Sequence, residues 1–207
     1  ARGADVRTGC EVTAILRHGR AWRVTCASGE TFEAAVLINA AGAWADHVAA
    51  LAGARPVGLQ PMRRTAVIVD APADIDLRGW PAVIDVDEQF YFKPDAGRLL
   101  ASPADETPSA PCDAAPDEMD VAVCIDRMQA CADIPVRRIV RAWAGLRSFV
   151  ADRSPVIGFD DAVPGFFWLA GQGGYGVQTA PAAARVAATL AAGEALPADI
   201  AAQGVTA

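Results

Sequence analysis

The clearest chemical signal lies in the glycine-rich segment FFWLAGQGGYGVQTAP, residues 166–181. The apolar run Phe166–Ala170 predicts a buried strand, and the Ala-rich pattern over about 181–192 predicts a helix. Backbone N–H groups at such a strand-to-helix turn can approach an anionic or polar ligand closely. A tight connection without any ligand explains the pattern equally well. The loop between the two elements contains Gly171, Gly173, Gly174 and Gly176.

The spacing Gly171-x-Gly173-x-x-Gly176 also fits the dinucleotide-binding fingerprint, but we reject that interpretation. The fingerprint requires a second parallel strand after the helix and an acidic residue about 20 positions on. Glu194 falls instead in the turn Gly193–Pro197, and the residues from there to Ala207 leave no room for another strand.

Composition excludes several functional classes. With 207 residues, 53% of them hydrophobic and 21% charged, the chain is long enough for one domain or two small ones with a real core. The net charge is −7 and no run of Lys or Arg exceeds two, so nucleic acid is not an expected partner. No apolar stretch reaches the roughly 18 residues of a membrane span.

The cysteines and histidines point to a reducing compartment and against a metal site. The five cysteines are odd in number and form no Cys-x-x-Cys pair, which favours free thiols in the cytoplasm over a disulfide framework. Only His18 and His47 supply imidazoles, so neither a structural zinc site nor a histidine-dependent catalytic triad is expected. The cysteines are Cys10, Cys26, Cys112, Cys124 and Cys131.

The flanking parts of the chain predict mixed α/β structure. Alternating patterns predict a three-stranded meander with strands at 10–16, 21–26 and 31–39. A helix is predicted over about 44–52. Near the other end, a short strand is predicted over 155–159 before the 166–170 strand.

The middle of the chain, about 55–150, predicts an antiparallel sheet with one helix. Residues 103–117 are predicted as an exposed loop, and a helix is predicted over 117–131, stopped by Pro135. The apolar face expected for that helix comprises Met119, Val123, Ile125, Met128 and Cys131. Strands are predicted at 65–69, 82–86, 89–93, 98–102 and 136–149, with a hairpin turn at Pro94–Gly97.

Four segments, in this order, resemble one enzyme family. They are VLINAAGAWAD (36–46), FYFKPDAGRLLASPADETP (90–108), WAGLRSFVADRSPVIG (143–158) and FFWLAGQGGYGVQTAPAAA (166–184). Together they resemble the C-terminal portion of the FAD-dependent amino-acid oxidase and dehydrogenase family, which includes D-amino acid oxidase, glycine oxidase and sarcosine oxidase-like enzymes. The resemblance covers roughly 10–197, and it is specific for the family but much less so for a substrate.

The resemblance implies an α+β (mixed α/β) fold with two domains. Residues 1–54 and 151–207 are expected to form part of a Rossmann-type FAD-binding domain, and residues 55–150 an antiparallel substrate-binding domain. The family's main dinucleotide fingerprint, which lies near the N-terminus, is not found. Because the chain begins Ala1-Arg2-Gly3 without an initiator Met, we expect a fragment or a missing N-terminal segment.

The resemblance also implies two groups of FAD contacts. One is the glycine loop, where small residues let the backbone approach the flat flavin ring and the following helix points its positive end at it. The other is the turn after the 31–39 strand, which equally reads as a close strand-to-helix connection. The implied cofactor-binding residues are Ala41, Gly42, Trp44, Gly171, Gln172, Gly173, Gly174, Tyr175, Gly176, Val177 and Gln178.

Two residues are implied as substrate contacts. Arg147 matches the family's arginine that holds the substrate carboxylate, a task suited to the planar guanidinium. Tyr91 matches a tyrosine facing the same carboxylate. A surface arginine paired with an acid and a half-buried strand tyrosine are the alternatives. The role of the adjacent Arg63 and Arg64 stays open.

The implied activity is oxidation of the CH–NH bond of a small amino acid or related amine by hydride transfer to FAD. No acid–base side chain and no metal are then required. One alternative is a non-catalytic substrate or interaction domain without flavin, or one subunit that is completed by another polypeptide. Another is a flavoenzyme of the same fold that oxidises a 2-hydroxy acid or a glycerol phosphate. A homo-oligomer is a further candidate assembly.

Overall fold

The structure is a computed structural model that describes residues 3–71 and 75–206. The strands are β1 (Val12–His18), β2 (Ala21–Cys26), β3 (Thr31–Ala34), β4 (Leu37–Asn39), β5 (Gln60–Val69), β6 (Val83–Ile84), β7 (Tyr91–Asp95), β8 (Arg98–Ser102), β9 (Thr107–Pro108), β10 (Ile139–Phe149), β11 (Val156–Phe159) and β12 (Phe166–Ala170). The helices are α1 (Ala45–Leu51), α2 (Glu118–Cys131), α3 (Gly176–Ala191) and α4 (Ala198–Ala201). The predicted mixed α/β fold with antiparallel sheets is confirmed.

The chain divides into two compact units. Residues 1–59 and 148–207 form one, called here the discontinuous unit, and residues 60–147 form the other, the central unit. The sequence placed the corresponding boundaries at 54/55 and 150/151. In the part of the chain that is described, no helix combines the length and the apolar character needed to cross a membrane.

The discontinuous unit contains two three-stranded sheets. Strands β1, β2 and β3 form an antiparallel meander in that order. The predicted single strand over 31–39 is wrong, because the chain leaves the meander after Ala34 and β4 joins the other sheet. The Leu37 N–H donates to the Gly165 carbonyl (2.9 Å), which also accepts from the Trp22 indole (3.0 Å). These bonds fix the crossing point between the two sheets.

The second sheet of this unit has the order β11-β12-β4. Strand β12 is antiparallel to β11 and parallel to β4. Its aromatic residues fill the core, where the Phe166 ring meets Trp22 and Trp168 edge to face at centroid distances of 6.3 and 5.1 Å. Ala45 and Ala49 of α1 pack into the same cluster. The apolar run that predicted β12 therefore reflects real burial of the strand.

The central unit contains a six-stranded sheet with the order β10-β5-β8-β7-β6, and β9 pairs with β5. Strand β5 begins at Gln60, earlier than the predicted 65–69, whereas β6 is reduced to Val83–Ile84. The turn between β7 and β8 lies at Ala96–Gly97, where both residues have positive φ angles (46° and 80°). The hairpin predicted around it is confirmed.

Helix α2 packs on this sheet with only part of the predicted face, since Met128 is buried and Ile125 packs against the core, whereas Met119 and Cys131 do not. Asp117 caps it by accepting from the Met119 N–H (2.9 Å). The Met119 side chain is 69% exposed. Cys131 is exposed as well. The residues that reach the core are Cys124 and Met128, both fully buried. Because burial raises the pKa of the Cys124 thiol to about 12, this side chain behaves as a small apolar group.

The Asp160 side chain stabilises the turn between β11 and β12 through hydrogen bonds. Its Oδ1 accepts from the N–H groups of Ala162 (3.0 Å) and Val163 (2.9 Å), and its Oδ2 accepts from the Trp168 indole (3.0 Å). Burial acts to raise the pKa of this carboxyl, but the hydrogen bonds outweigh it and the pKa is lowered. The ionised form is therefore the form that the folded chain prefers.

This lowered pKa predicts an acid-sensitive contribution to stability. The contribution is fully present above the pKa of an unfolded aspartate, about 3.9, and is lost as the pH falls from there through the lower folded value. The free energies of unfolding of wild type and Asp160→Asn should thus converge as the pH drops below about 4. The variant Asp161→Asn, which removes an exposed neighbouring carboxyl that makes none of these three hydrogen bonds, is the control for the loss of one negative charge. If the difference in free energy of unfolding between wild type and Asp160→Asn does not change with pH, the lowered pKa of Asp160 is wrong.

Candidate functional site

Two of the segments implied as cofactor contacts meet at one edge of a sheet. Strands β4 and β12 are parallel, with Leu37, Ile38 and Asn39 opposite Phe166, Phe167 and Trp168. The turn that begins at Ala40 and the loop that begins at Gly171 therefore both leave the carboxyl end of this sheet. In open α/β sheets this edge is where ligands bind.

Asn39 shapes the first of these turns. The side chain is 1% exposed, its Nδ2 donates to the Ala45 carbonyl (2.8 Å), and its Oδ1 accepts from the Ala41 N–H (3.3 Å). A 3₁₀ turn over Gly42–Trp44 follows and leads into α1. Asn39 is not among the residues predicted from the sequence. The available signal was a polar residue at the end of an apolar run, which marks a buried side chain that must find hydrogen-bond partners.

Gly173 gives the second loop its shape. It has a φ of +54°, and its N–H donates to the Ser148 carbonyl (3.0 Å). A methyl group at this position would overlap the ring of Phe149, whose Cδ1 would lie 2.8 Å away. A glycine is needed here both for the left-handed backbone and for the close approach to the ring.

Helix α3 begins at the end of this loop, at Gly176 rather than at the predicted position near Pro181. Gly176, Val177 and Gln178 therefore form its first turn, and Pro181 lies inside the helix. Among the described residues no side chain caps this N-terminus, and its first turn carries no acidic residue. The first N–H groups of an α-helix lack intrahelical acceptors, so this end presents donors and a partial positive charge.

Exposed apolar side chains accompany both loops. Trp44 is 45% exposed, Tyr175 66% and Val177 96%. Large apolar groups exposed beside backbone donors are characteristic of a binding site for a flat, partly polar ligand. The structure thus brings the eleven residues implied as FAD contacts to one edge of the discontinuous unit.

The two residues implied as substrate contacts lie in the central unit. Arg147 lies near the end of β10, with a side chain 23% exposed whose Nη2 donates to Glu106 Oε1 (2.6 Å). Tyr91 begins β7 and is half-buried, between the core residues Phe90 and Phe92. Strands β5 and β8 separate their strands in the sheet order, a lateral distance of about 14 Å between backbones.

The adjacent residues Arg63 and Arg64 of β5 both form hydrogen bonds or ion pairs with acidic residues. Arg64 Nε donates to the Asp105 carbonyl (2.7 Å), and its Nη2 lies 3.4 Å from Glu106 Oε1. Arg63 Nη2 pairs with Asp120 (2.8 Å). The Asp105 side chain, 7% exposed, accepts from the N–H and the hydroxyl of Thr65 (2.7 and 3.1 Å). The sequence alone did not indicate that Arg64 and Arg147 both contact the Glu106 carboxylate.

Comparisons with known proteins agree with this architecture. Hydrogen cyanide synthase subunit HcnC of Pseudomonas aeruginosa is 26% identical over 201 residues, which is 96% of this chain and 47% of that protein. The chain therefore spans about half the length of the curated relatives it matches. Glycine oxidase from Geobacillus kaustophilus superposes with a TM-score of 0.76 at 24% identity, covering 89% of this chain and 48% of that structure.

A second solved structure has the same fold and a different named substrate. L-α-glycerophosphate oxidase from Mycoplasma pneumoniae, solved with FAD bound, superposes with a TM-score of 0.71 at 20% identity. The superposition covers 88% of this chain and 50% of that structure. At these identities, the structural matches establish the fold.

The family follows from a match over nearly the whole chain. The family model described as "DAO: FAD dependent oxidoreductase" matches residues 1–190. This confirms the resemblance carried by the four sequence segments, and FAD is the cofactor of that family. The chain belongs to the DAO family of FAD-dependent oxidoreductases.

Proposed function

We propose that the protein is part of an enzyme that oxidises the CH–NH bond of a small amino acid or related amine. Membership of the FAD-dependent oxidoreductase family supports the class of chemistry. The observation that carries the choice of substrate is the Arg147 guanidinium, which is largely buried and already holds a carboxylate, that of Glu106, at 2.6 Å. A side chain placed in this way is suited to bind the carboxylate of an amino acid.

The residues of the discontinuous unit fit FAD. The uncapped N-terminus of α3 offers donors without an opposing acid. The residues proposed to hold the flavin are those of the turn Ala41–Trp44 and of the segment Gly171–Gln178. Bound FAD supplies the acceptor for the hydride that leaves the substrate carbon. The positive end of α3 favours negative charge that develops on a ligand beside it.

The protein's own residues then bind and orient the substrate. Arg147 fixes the carboxylate end, which determines the direction in which the amine-bearing carbon points. Tyr91 supplies a phenol that can donate to a carboxylate and exclude water. No acid–base side chain is required in this proposal.

Oxidation of a glycerol phosphate is the second candidate. The L-α-glycerophosphate oxidase neighbour supports it, since that protein has the same fold. A pair of arginines such as Arg64 and Arg147, which converge on one carboxylate oxygen, suits a phosphate as well as a carboxylate. A cytoplasmic location and assembly as a homo-oligomer also stay proposals.

An absorbance experiment tests the proposal. The purified chain is mixed with FAD, desalted and scanned in the visible region, and amino acids, 2-hydroxy acids and glycerol phosphate are then added without oxygen. We expect retained flavin bands that are bleached by amino acids. A colourless protein would refute flavin binding by this chain. Bleaching by glycerol phosphate but not by amino acids would select the second candidate.

A further inference from the structure

Gly145 interrupts a row of large side chains on β10. Successive residues of a strand point to opposite faces of its sheet, so Trp143, Gly145 and Arg147 share one face. At about 3.3 Å per residue, Gly145 lies about 7 Å along the strand from each of the other two. Gly145 is exposed, and a Cβ at this position would meet no described residue within 4 Å. An open space, called here the Gly145 gap, therefore separates the indole from the guanidinium.

The backbone of β10 does not require a glycine at this position. Gly145 has a φ outside the left-handed region, and β10 runs without interruption from Ile139 to Phe149. A side chain here would therefore cause neither backbone strain nor a steric clash. Glycine weakens the interior of a strand, and it often marks a place where a ligand approaches closely. What Gly145 supplies is room on the surface of the sheet.

Trp143 borders the Gly145 gap with an aromatic surface. Its side chain is half-buried, yet among the described residues it belongs to neither of the two hydrophobic core clusters. The guanidinium carbon of Arg141 lies 5.5 Å from the centroid of its ring, a contact that restrains the indole. An aromatic ring that is held in place outside the core is suited to contact an apolar group of a ligand.

We propose that the Gly145 gap receives the side chain of the amino-acid substrate and selects bulky apolar or aromatic side chains. The inference rests on the proposed role of Arg147 in holding the substrate carboxylate. Because the carboxylate and the side chain of an amino acid leave the same carbon, a substrate bound at Arg147 has its side chain close to that residue. Gly145 then offers the room for this side chain, and Trp143 offers the apolar contact.

Titration with two carboxylic acids tests the inference. Acetate and phenylacetate carry the same carboxylate, but only phenylacetate has a group large enough to fill the Gly145 gap. Both acids are titrated calorimetrically into the full chain without FAD, at constant ionic strength because charge interactions are screened by salt. We expect wild type to bind phenylacetate about 10- to 100-fold more tightly than acetate, which is the effect of burying one large apolar side chain. Equal affinities for the two acids overturn the inference.

Two variants change the Gly145 gap from opposite sides. Gly145→Val fills it with a residue that suits a strand, so the preference for phenylacetate should disappear while acetate still binds. Trp143→Ala removes the aromatic surface and should lower the preference about three- to tenfold. Circular dichroism and thermal melting check folding, and if one of the two variants does not fold, the other decides.

Ile139→Ala is the control, because it removes an exposed apolar side chain from the same face of β10, beyond Arg141. It should leave the ratio of phenylacetate to acetate affinity as in wild type. A ratio that stays at the wild-type value in Gly145→Val and in Trp143→Ala overturns the inference, as does an equal fall in Ile139→Ala.

Arg147→Met separates this inference from the proposed function. If the variant loses binding of both acids while wild type binds them equally, the role of Arg147 survives and the role of the Gly145 gap does not. If Arg147→Met still binds acetate like wild type, the proposed carboxylate site itself is wrong. Failure of wild type to bind either acid overturns both.

Discussion

Arg147→Met is expected to weaken binding of a carboxylate substrate at least about 30-fold, because truncating one partner of a buried charge pair costs about 2–5 kcal/mol. Methionine keeps much of the length of the side chain but removes the positive charge and all of the N–H donors. The effect should appear in kcat/KM of the FAD-loaded enzyme and in calorimetric titration of the flavin-free chain with acetate.

Two further variants make the Arg147 result specific. Arg147→Lys keeps the charge but loses the planar fork, so we expect an intermediate loss of about tenfold. Arg141→Met, on the same strand, removes an exposed guanidinium that stacks on Trp143 at 5.5 Å, and it should leave carboxylate binding unchanged. Equal losses in Arg141→Met and Arg147→Met would indicate a general effect of charge and would refute a site at Arg147.

Gly173→Ala is expected to destabilise the discontinuous unit by about 2–5 kcal/mol. A left-handed backbone costs a residue with a Cβ about 1–2 kcal/mol, and forcing a methyl group into a packed contact costs about 1–3 kcal/mol. The contact is the Phe149 ring, with Cδ1 2.8 Å from the new methyl position. Since the ring or the loop must move, retention of FAD should fall as well.

Gly193→Ala is the matched control for Gly173→Ala. Gly193 has a φ of +73°, and a Cβ there would meet nothing within 4 Å. Its cost should therefore be the backbone part alone, about 1–2 kcal/mol. Urea unfolding measures both variants, and an unchanged m-value would show that the change lies in stability. If the two variants lose equal stability, the close packing of Gly173 on Phe149 is not significant.

Where local pattern and burial coincide, the sequence predicted the elements well. Strand β12 was predicted from its apolar run, and β8 from its position beside a hairpin turn. The pattern failed at residues 31–39, because a continuous apolar run does not reveal that the chain changes sheets between Ala34 and Leu37. It failed again at Pro181: proline is best tolerated in the first turn of a helix, whereas α3 begins at Gly176 and Pro181 lies inside it.

Less of the candidate site than of the fold could be predicted from the sequence. The four motifs pointed to the two loops at the edge of the β4–β12 pair, and the structure places both there. The contacts of Glu106 with Arg64 and Arg147 join residues about 40 positions apart, as do the bonds between Asp105 and Thr65. Such pairings depend on strand order, which periodicity does not encode. Asp46, whose carboxylate accepts from the N–H groups of Val57, Gly58 and Leu59, was likewise missed.

The distribution of the cysteines gives the chain its own reporters of unfolding. Cys26 is 3% exposed in the discontinuous unit, and Cys124 is 0% exposed in the central unit. A thiol reagent attacks the thiolate, and burial raises the pKa of Cys124 to about 12. Alkylation of each of these two cysteines therefore requires its own unit to open. The order in which mass spectrometry detects the two modifications reveals which of the two units opens more readily.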